Sequence, residues 1–330
     1  MQILSLLIEA DFWAATLRLT TPLLLAALGG VFSERAGINN MGLDGAMLMG
    51  AFFGYIGALF TQNAFLGFVC AAISGALIML LLGFMSINVK VNQIVTALGT
   101  NMLALGVTST AFRMIFGNDL AQLTSPGLVP VNFGSLSKIP FLGKVLFGQT
   151  PIVYLAIILV PISHYIMYNT HWGLKIRATG EHPKAVDTVG IDVYKVRYVS
   201  LIISGILCGL GGAAVTLTGI NTFYDNITAG RGFIAVAAVV FGKWSPVGAS
   251  LATLLFGAGE AFQLRLQGLG FDIPYAYFYM LPYIVTMISL IFFMGPSKGP
   301  AATGQPYIKS GSKAKRKKVS RAGLKPEVKS

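Results

Sequence analysis

The chain has 330 residues, of which 55% are hydrophobic and only 11% charged, with a mean hydropathy of +0.72. Soluble domains carry about a quarter of their residues as charges, so this composition excludes one and points to an integral membrane protein. The net charge of +12 does not imply a nucleic-acid partner, because ten of the 24 Lys/Arg lie from Lys298 onward against one acid, Glu327, leaving 1–297 nearly neutral.

A hydrocarbon core about 30 Å thick takes about 20 helical residues to cross. In chain order nine stretches qualify: 12–32, 38–60, 64–86, 93–116, 151–169, 196–217, 230–242, 246–265 and 275–294. The seventh is short for a span, so eight to ten crossings are expected. The fold class is an all-α polytopic membrane protein of about nine transmembrane helices, with broken or short helices near 36–46 and 229–242. Residues 1–297 form the permeation domain, and 298–330 a basic, disordered tail that suits an anionic lipid surface. With the N-terminus outside, Arg35, Lys90, the five basic residues of 175–197 and Lys243 fall on one side. Loops on the other side hold only Lys138 and Lys144. The positive-inside rule then places 171–197 and the C-terminus in the cytoplasm.

Polar groups inside such spans cost free energy unless paired, which makes them candidates for function. "ERAGINNMGLDGAM" (34–47) combines Gly37, Gly42 and Gly45 with Asn39, Asn40 and Asp44. The glycines and amides break or delay the second helix. The polar side chains either satisfy the broken backbone or meet the solute, the structural role being preferred. "NQIVTALGTNMLALG" (92–106) sets Asn92, Gln93, Thr96, Thr100 and Asn101 along the fourth span. That stripe suits an uncharged, hydroxyl-rich solute as well as it suits interhelical hydrogen bonding. Cys70 and Cys208 lie in apolar stretches and form no disulfide framework, and the three His have no ligand spacing. No metal site is expected.

The long 117–150 loop is rich in Pro and Gly and faces outward. Between the fifth and sixth spans, "HWGLKIRATGEHPKAVDTVGIDVYKVR" (171–197) concentrates five Lys/Arg, three acids and two His. Pro183 fits a first helical turn and Gly190 a left-handed closure. Ala185, Val186 and Val189 fall on one side, with Ile191 extending that edge, while Lys184 and Asp187 stand apart. So short a helix gains stability by docking; a solvated loop on the bilayer surface is the alternative. "NTFYDNITAGRGF" (221–233) opens the short seventh helix on the outer side. Glu260 is the other deep acid, either paired with Arg265 or lining a pathway.

Three stretches, 17–52, 228–249 and "IRATGEHPKAVDTVGIDVYKVR" (176–197), resemble signatures of bacterial ABC importer permeases. The match is to the ribose/branched-chain-amino-acid superfamily, in the nucleoside branch that works with basic-membrane-protein-type binding lipoproteins. The resemblance implies a coupling loop at 170–197. Within it Glu181, Pro183, Ala185, Val186, Asp187, Val189, Gly190 and Ile191 would dock on a separate ATPase that holds ATP and Mg. No cofactor sits on this chain, and it is not itself an enzyme: neither Gly143-Lys144 nor Gly242-Lys243 belongs to a phosphate-cradling loop. The resemblance further implies a second, different permease and a nucleoside-binding lipoprotein outside, for which Asp225 and Arg231 are candidate contacts. The expected location is the bacterial cytoplasmic membrane. An ion-coupled secondary transporter using Asp44 or Glu260 is the alternative, and an intramembrane enzyme is the least favoured reading.

Overall fold

The computed structural model describes residues 9–117, 123–131, 134, 139, 141–268 and 299–309. Every regular element among them is helical. In chain order these are α1 (Ala10–Arg35), α2 (Leu43–Thr61), α3 (Ala64–Gly83, extended by a π-helical turn to Val89) and α4 (Gln93–Phe116). Further along the chain come α5 (Leu142–Leu146), α6 (Pro151–Asn169), α7 (His171–Glu181) and α8 (Pro183–Thr188). The last three are α9 (Val193–Val215, with a π-helical end to Ile220), α10 (Arg231–Phe241) and α11 (Pro246–Gly268).

Seven of them (α1, α2, α3, α4, α6, α9 and α11) are long and apolar enough to cross a membrane. They match seven of the nine expected spans. The expected seventh span, 230–242, is α10, which has 11 residues, about 16 Å at 1.5 Å per residue, or half a hydrocarbon core. The ninth, 275–294, lies outside the described residues. Local chemistry sets several helix starts. Asn63 Oδ1 accepts from the Phe65 N–H at 2.9 Å, and Asp192 Oδ1 accepts from the N–H of Tyr194 at 3.0 Å. Both are side-chain caps of otherwise orphaned donors. Pro151 opens α6, where its missing N–H costs nothing.

The centre of the bundle is α9, which packs on α1, α2 and α3, while α10 and α11 lie against α1. Apolar side chains gain little by leaving lipid for protein, so close backbone approach has to supply the packing. At the α3–α9 crossing a Cβ on Gly75 would strike the carbonyl oxygen of Gly205, and one on Gly209 would strike that of Ala71. Leu25, Leu28, Met47, Met79, Leu201 and Cys208 fill the core around this crossing. Phe65, Ile73, Val95, Met102, Met114 and Ile158 turn outward from α3, α4 and α6.

One end of the bundle carries the 36–42 loop, Lys90, α7 and α8, Lys243 and residues 299–309. The opposite end carries exposed ion pairs between Lys144 and Asp11 (3.4 Å), Arg265 and Glu9 (3.3 Å), and Arg113 and Asp225 (3.4 Å). Such exposed pairs add little stability. The expectation of a disordered tail from 298 does not hold for its first residues. Residues 299–309 fold back on α7 and α9, where the Ala302 N–H donates to the Gly180 carbonyl at 2.8 Å and Tyr307 is buried. Residues 310–330 lie outside the described residues.

Candidate functional site

The break between α1 and α2 is built from the residues that the sequence marks as polar. Gly37 turns the chain with φ +82°, and α2 starts at Leu43, five residues later than the apolar run begins. Gly45 does not interrupt that helix; it lies in its first turn. Asn40 is fully buried. Its Nδ2 donates to Ser33 Oγ (3.0 Å) and Ser204 Oγ (3.1 Å), and its Oδ1 accepts from the Gly42 N–H (3.3 Å). One amide therefore ties α1, the loop and α9 together.

The fourth span holds the same loop from its other side. Asn101 Oδ1 accepts from the Gly45 N–H at 2.8 Å, and its Nδ2 donates to the Met41 carbonyl at 2.9 Å. The Asn39 N–H donates to Gln93 Oε1 at 2.7 Å. Asn92 caps α4 by accepting from the N–H groups of Ile94 and Val95. Thr96 and Thr100 donate back to the carbonyls of Asn92 and Thr96, at 2.9 and 2.8 Å. Gln93 and Asn101 thus bracket the broken backbone, which is what a chain in lipid requires, while Asn92, Thr96 and Thr100 serve their own helix.

Asp44 sits in the first turn of α2, and its Oδ1 accepts from the Gly232 N–H at 3.0 Å. Gly232 is in the first turn of α10, so the carboxylate faces the positive ends of two helices, where negative charge is favoured. A Cβ on Gly232 would collide with the Asp44 backbone. Next to this contact, Arg231 Nη2 donates to Glu260 Oε1 at 2.6 Å, with about a quarter of each side chain exposed. Glu260 therefore pairs with Arg231 on α10. Arg265, whose pairing is one of the two roles open to Glu260 in the sequence, bonds Glu9 instead, because a neighbour five residues along a helix is off its face.

Residues 221–230 run from the end that carries the Arg113–Asp225 pair to α10. Phe223 meets Phe52 (5.1 Å between centroids), Phe112 (5.4 Å) and Tyr55 (6.3 Å), and Ile227 is fully buried beside them. Asp225 stays exposed on Arg113, whereas Arg231 lies deeper, on Glu260.

At the opposite end residues 171–188 form two helices. Pro183 is the first residue of α8, and Gly190 (φ +82°) lets the chain leave it. The 171–181 stretch forms α7, a further helix beyond the short one expected. The sides of α8 are unlike. Val189 is 71% exposed and Ala185 is exposed, but Val186 is only 5% exposed, packed with Val193 and Tyr307. Ile191 is half-buried against the same group. Asp187 is 3.7 Å from Lys309, and Glu181 accepts from the Ala301 N–H at 3.3 Å. Burial, with the Asp187 carboxylate nearby, pushes the Tyr307 phenol up to about 12, so it packs as a neutral ring.

Three contacts at this end join residues whose pairing no local spacing in the sequence marks. Arg197 is 1% exposed and donates from Nε to the Ala36 carbonyl at 3.3 Å. Trp244 Nε1 donates to Glu34 Oε2 at 2.5 Å. Arg35 Nε donates to the Trp244 carbonyl at 2.7 Å. A buried position for Glu34 and Arg197 shows only in three dimensions.

A broken-helix bundle with a helical knob at one end fits a transport subunit. The family described as branched-chain amino acid transport system / permease component matches residues 12–290. The chain belongs to this permease family. Permeases similar to it include the guanosine ABC transporter permease protein NupQ of Bacillus subtilis, 41% identical over 320 residues, covering 93% of this chain and 98% of the relative. The nucleoside ABC transporter permease protein NupC of Lactococcus lactis is 36% identical over 301 residues, covering 88% and 94%. The putative glucose ABC transporter permease protein TsgC13 of Haloferax volcanii is 36% identical over 259 residues, covering 77% of each chain. No solved structure is significantly similar. This permease is thus the multi-pass membrane subunit of an ABC transport system.

Proposed function

We propose that this permease imports nucleosides across a bacterial cytoplasmic membrane, driven by a separate ATPase that holds ATP and Mg. The observation that supports the ATPase coupling is the α7–α8 segment at one end of the bundle, where α7 packs on α1 and α8 leaves Ala185 and the following Val189 exposed. The cargo rests on the relatives named for guanosine and nucleosides. Motor closure moves the knob, and the spans rock around a pathway between this subunit and a second permease, which family resemblance makes a different chain. A nucleoside-binding lipoprotein docks at the opposite end, where Asp225 is the accessible one of the two candidate contacts. The 171–197 loop and the C-terminus face the cytoplasm.

An ion-coupled mechanism would use Asp44 or Glu260 as its ion site. Both carboxylates already have partners, a helix N-terminal N–H and an arginine, which supports the ATP-driven reading. The test is uptake of labelled guanosine by cells carrying the second permease, ATPase and binding protein, with adenosine, cytidine, glucose and ribose as competitors. Uptake should need the ATPase and fall at least about tenfold in Val189→Asp at normal membrane levels, because a charge enters an apolar contact. Competition by nucleosides and not by the sugars is expected. Uptake that persists without the ATPase would overturn the mechanism, and competition by sugars alone would overturn the cargo.

A further inference from the structure

Residues 299–309 form a strap across the end of the bundle that carries the knob. The Ala302 N–H donates to the Gly180 carbonyl at 2.8 Å, and the Ala301 N–H donates to Glu181. Gly180 lies so close to α1 that a Cβ there would strike the Arg35 carbonyl oxygen. Arg197 donates from Nη1 to the Gln305 carbonyl at 3.4 Å and from Nε to the Ala36 carbonyl, joining the strap to the 36–42 loop. Tyr307 stands edge-on to Tyr194, 5.6 Å between centroids, and covers Val186 and Val193. Beyond it, Lys309 reaches Asp187.

This arrangement changes what α8 can offer a partner. Of the apolar residues expected to dock, Val186 is spent on the strap and Ile191 is half-buried, leaving Ala185 and Val189 facing outward. Two small apolar side chains on a six-residue helix fall far short of the ~800 Å² that one side of a stable interface buries. The missing surface lies directly across a cleft of about 760 Å³. One wall is His182, Lys184 and Ala185, and the other is Gln305, Pro306 and Ile308. All three strap residues are exposed, and Ile308 is a large apolar side chain turned outward. A partner that covers Lys184 and Ala185 enters this cleft and rests on the strap.

We infer that the 299–309 strap is the second wall of the ATPase docking site, so that the motor subunit enters the cleft between it and the first turn of α8. This rests on the reading of α8 as the coupling helix. The cleft defines the partner surface it fits: an apolar ridge to meet Ala185, Pro306 and Ile308, flanked by carboxylates to face Lys184 and Lys309. Glu181, the acid on this rim, already accepts from the strap. The strap thereby transmits motor motion along a second route, through Gln305 and Arg197 to the Ala36 carbonyl at the α1–α2 break.

The test uses the assembled complex with its ATPase subunit. A photo-crosslinking amino acid is placed at position 308, at 189 on the knob, and at 129 on the far end of the bundle. Positions 189 and 308 should both label the ATPase subunit, and 129 should not. Labelling from 189 without 308 overturns the strap inference and leaves the coupling helix standing; labelling from neither removes both. Because Ile308 is exposed, Ile308→Glu should leave folding and membrane levels unchanged. It should lower the apparent affinity for the ATPase subunit at least about tenfold, since the new acid meets an apolar or acidic surface. Unchanged affinity overturns the inference.

Discussion

Asn40 shows what becomes of a polar side chain in an apolar bundle: both ends of its amide are committed, to Ser33, Ser204 and the Gly42 N–H. Asn40→Leu keeps the branched shape, though not the volume, and strands the Gly42 N–H, which should cost at least about 1–3 kcal/mol, read as a lower melting temperature of the purified protein. Thr96 is the useful contrast, because its hydroxyl bonds only the Asn92 carbonyl one turn back. Thr96→Val should change stability by less than about 0.5 kcal/mol and leave uptake intact. Uptake lost at unchanged stability would instead make that hydroxyl a solute ligand. The Arg231–Glu260 pair follows a third rule. Removing one partner leaves the other partly buried and uncompensated, whereas removing both removes the conflict. Arg231→Gln and Glu260→Gln should each destabilise, and the double variant less than their sum. The expected coupling is about 0.5–3 kcal/mol in a double-mutant cycle.

At the scale of elements, the half-length α10 meets α2 through a close approach of Gly232 to the Asp44 backbone. Gly232→Val should separate α10 from α2 and sharply reduce the yield of folded protein; full yield with a normal melting temperature would show that this packing is dispensable. Much of this level was legible in the sequence. The break near 36–46 follows from Gly37, Gly42 and the Asn pair, and the short helix from the length of its apolar run. Pro183 and Gly190 mark the bounds of α8. What the sequence withholds is the identity of partners. Asn101 is recognisable as a polar group, but Gly45 lies 56 residues away, and Asp44 and Gly232 are 188 apart. Periodicity carries no signal at such distances. For the same reason a pairing of Glu260 with Arg265 is open in the sequence and its pairing with Arg231 is not visible there. The Ser/Gly/Lys-rich composition of the tail points to disorder, yet its first part is held by backbone hydrogen bonds and by Tyr307, none of which composition reveals.

For the whole molecule, the distribution of Lys and Arg and the fold make one joint claim about sidedness. The basic loop 171–197 and the strap 299–309 share one end of the bundle, since Gly180, Glu181, Asp187 and Arg197 all touch the strap. The outer loop and the exposed Arg113–Asp225 pair occupy the other end. Val189 and Val129 mark these ends, and both are exposed, at 71% and 78%. In a background with Cys70→Ala and Cys208→Ala, single cysteines at the two positions report the orientation through a membrane-impermeant maleimide. Val129→Cys should react in intact spheroplasts, and Val189→Cys only after the membrane is opened, because loops rich in Lys and Arg are retained in the cytoplasm. The reverse pattern would put α8 and the strap outside, beyond the reach of any ATPase that draws on cytoplasmic ATP. The coupling role of α8 and the docking cleft beside it would then fall together, while the intramembrane hydrogen bonds of Asn40, Asn101 and Asp44 would stand unchanged.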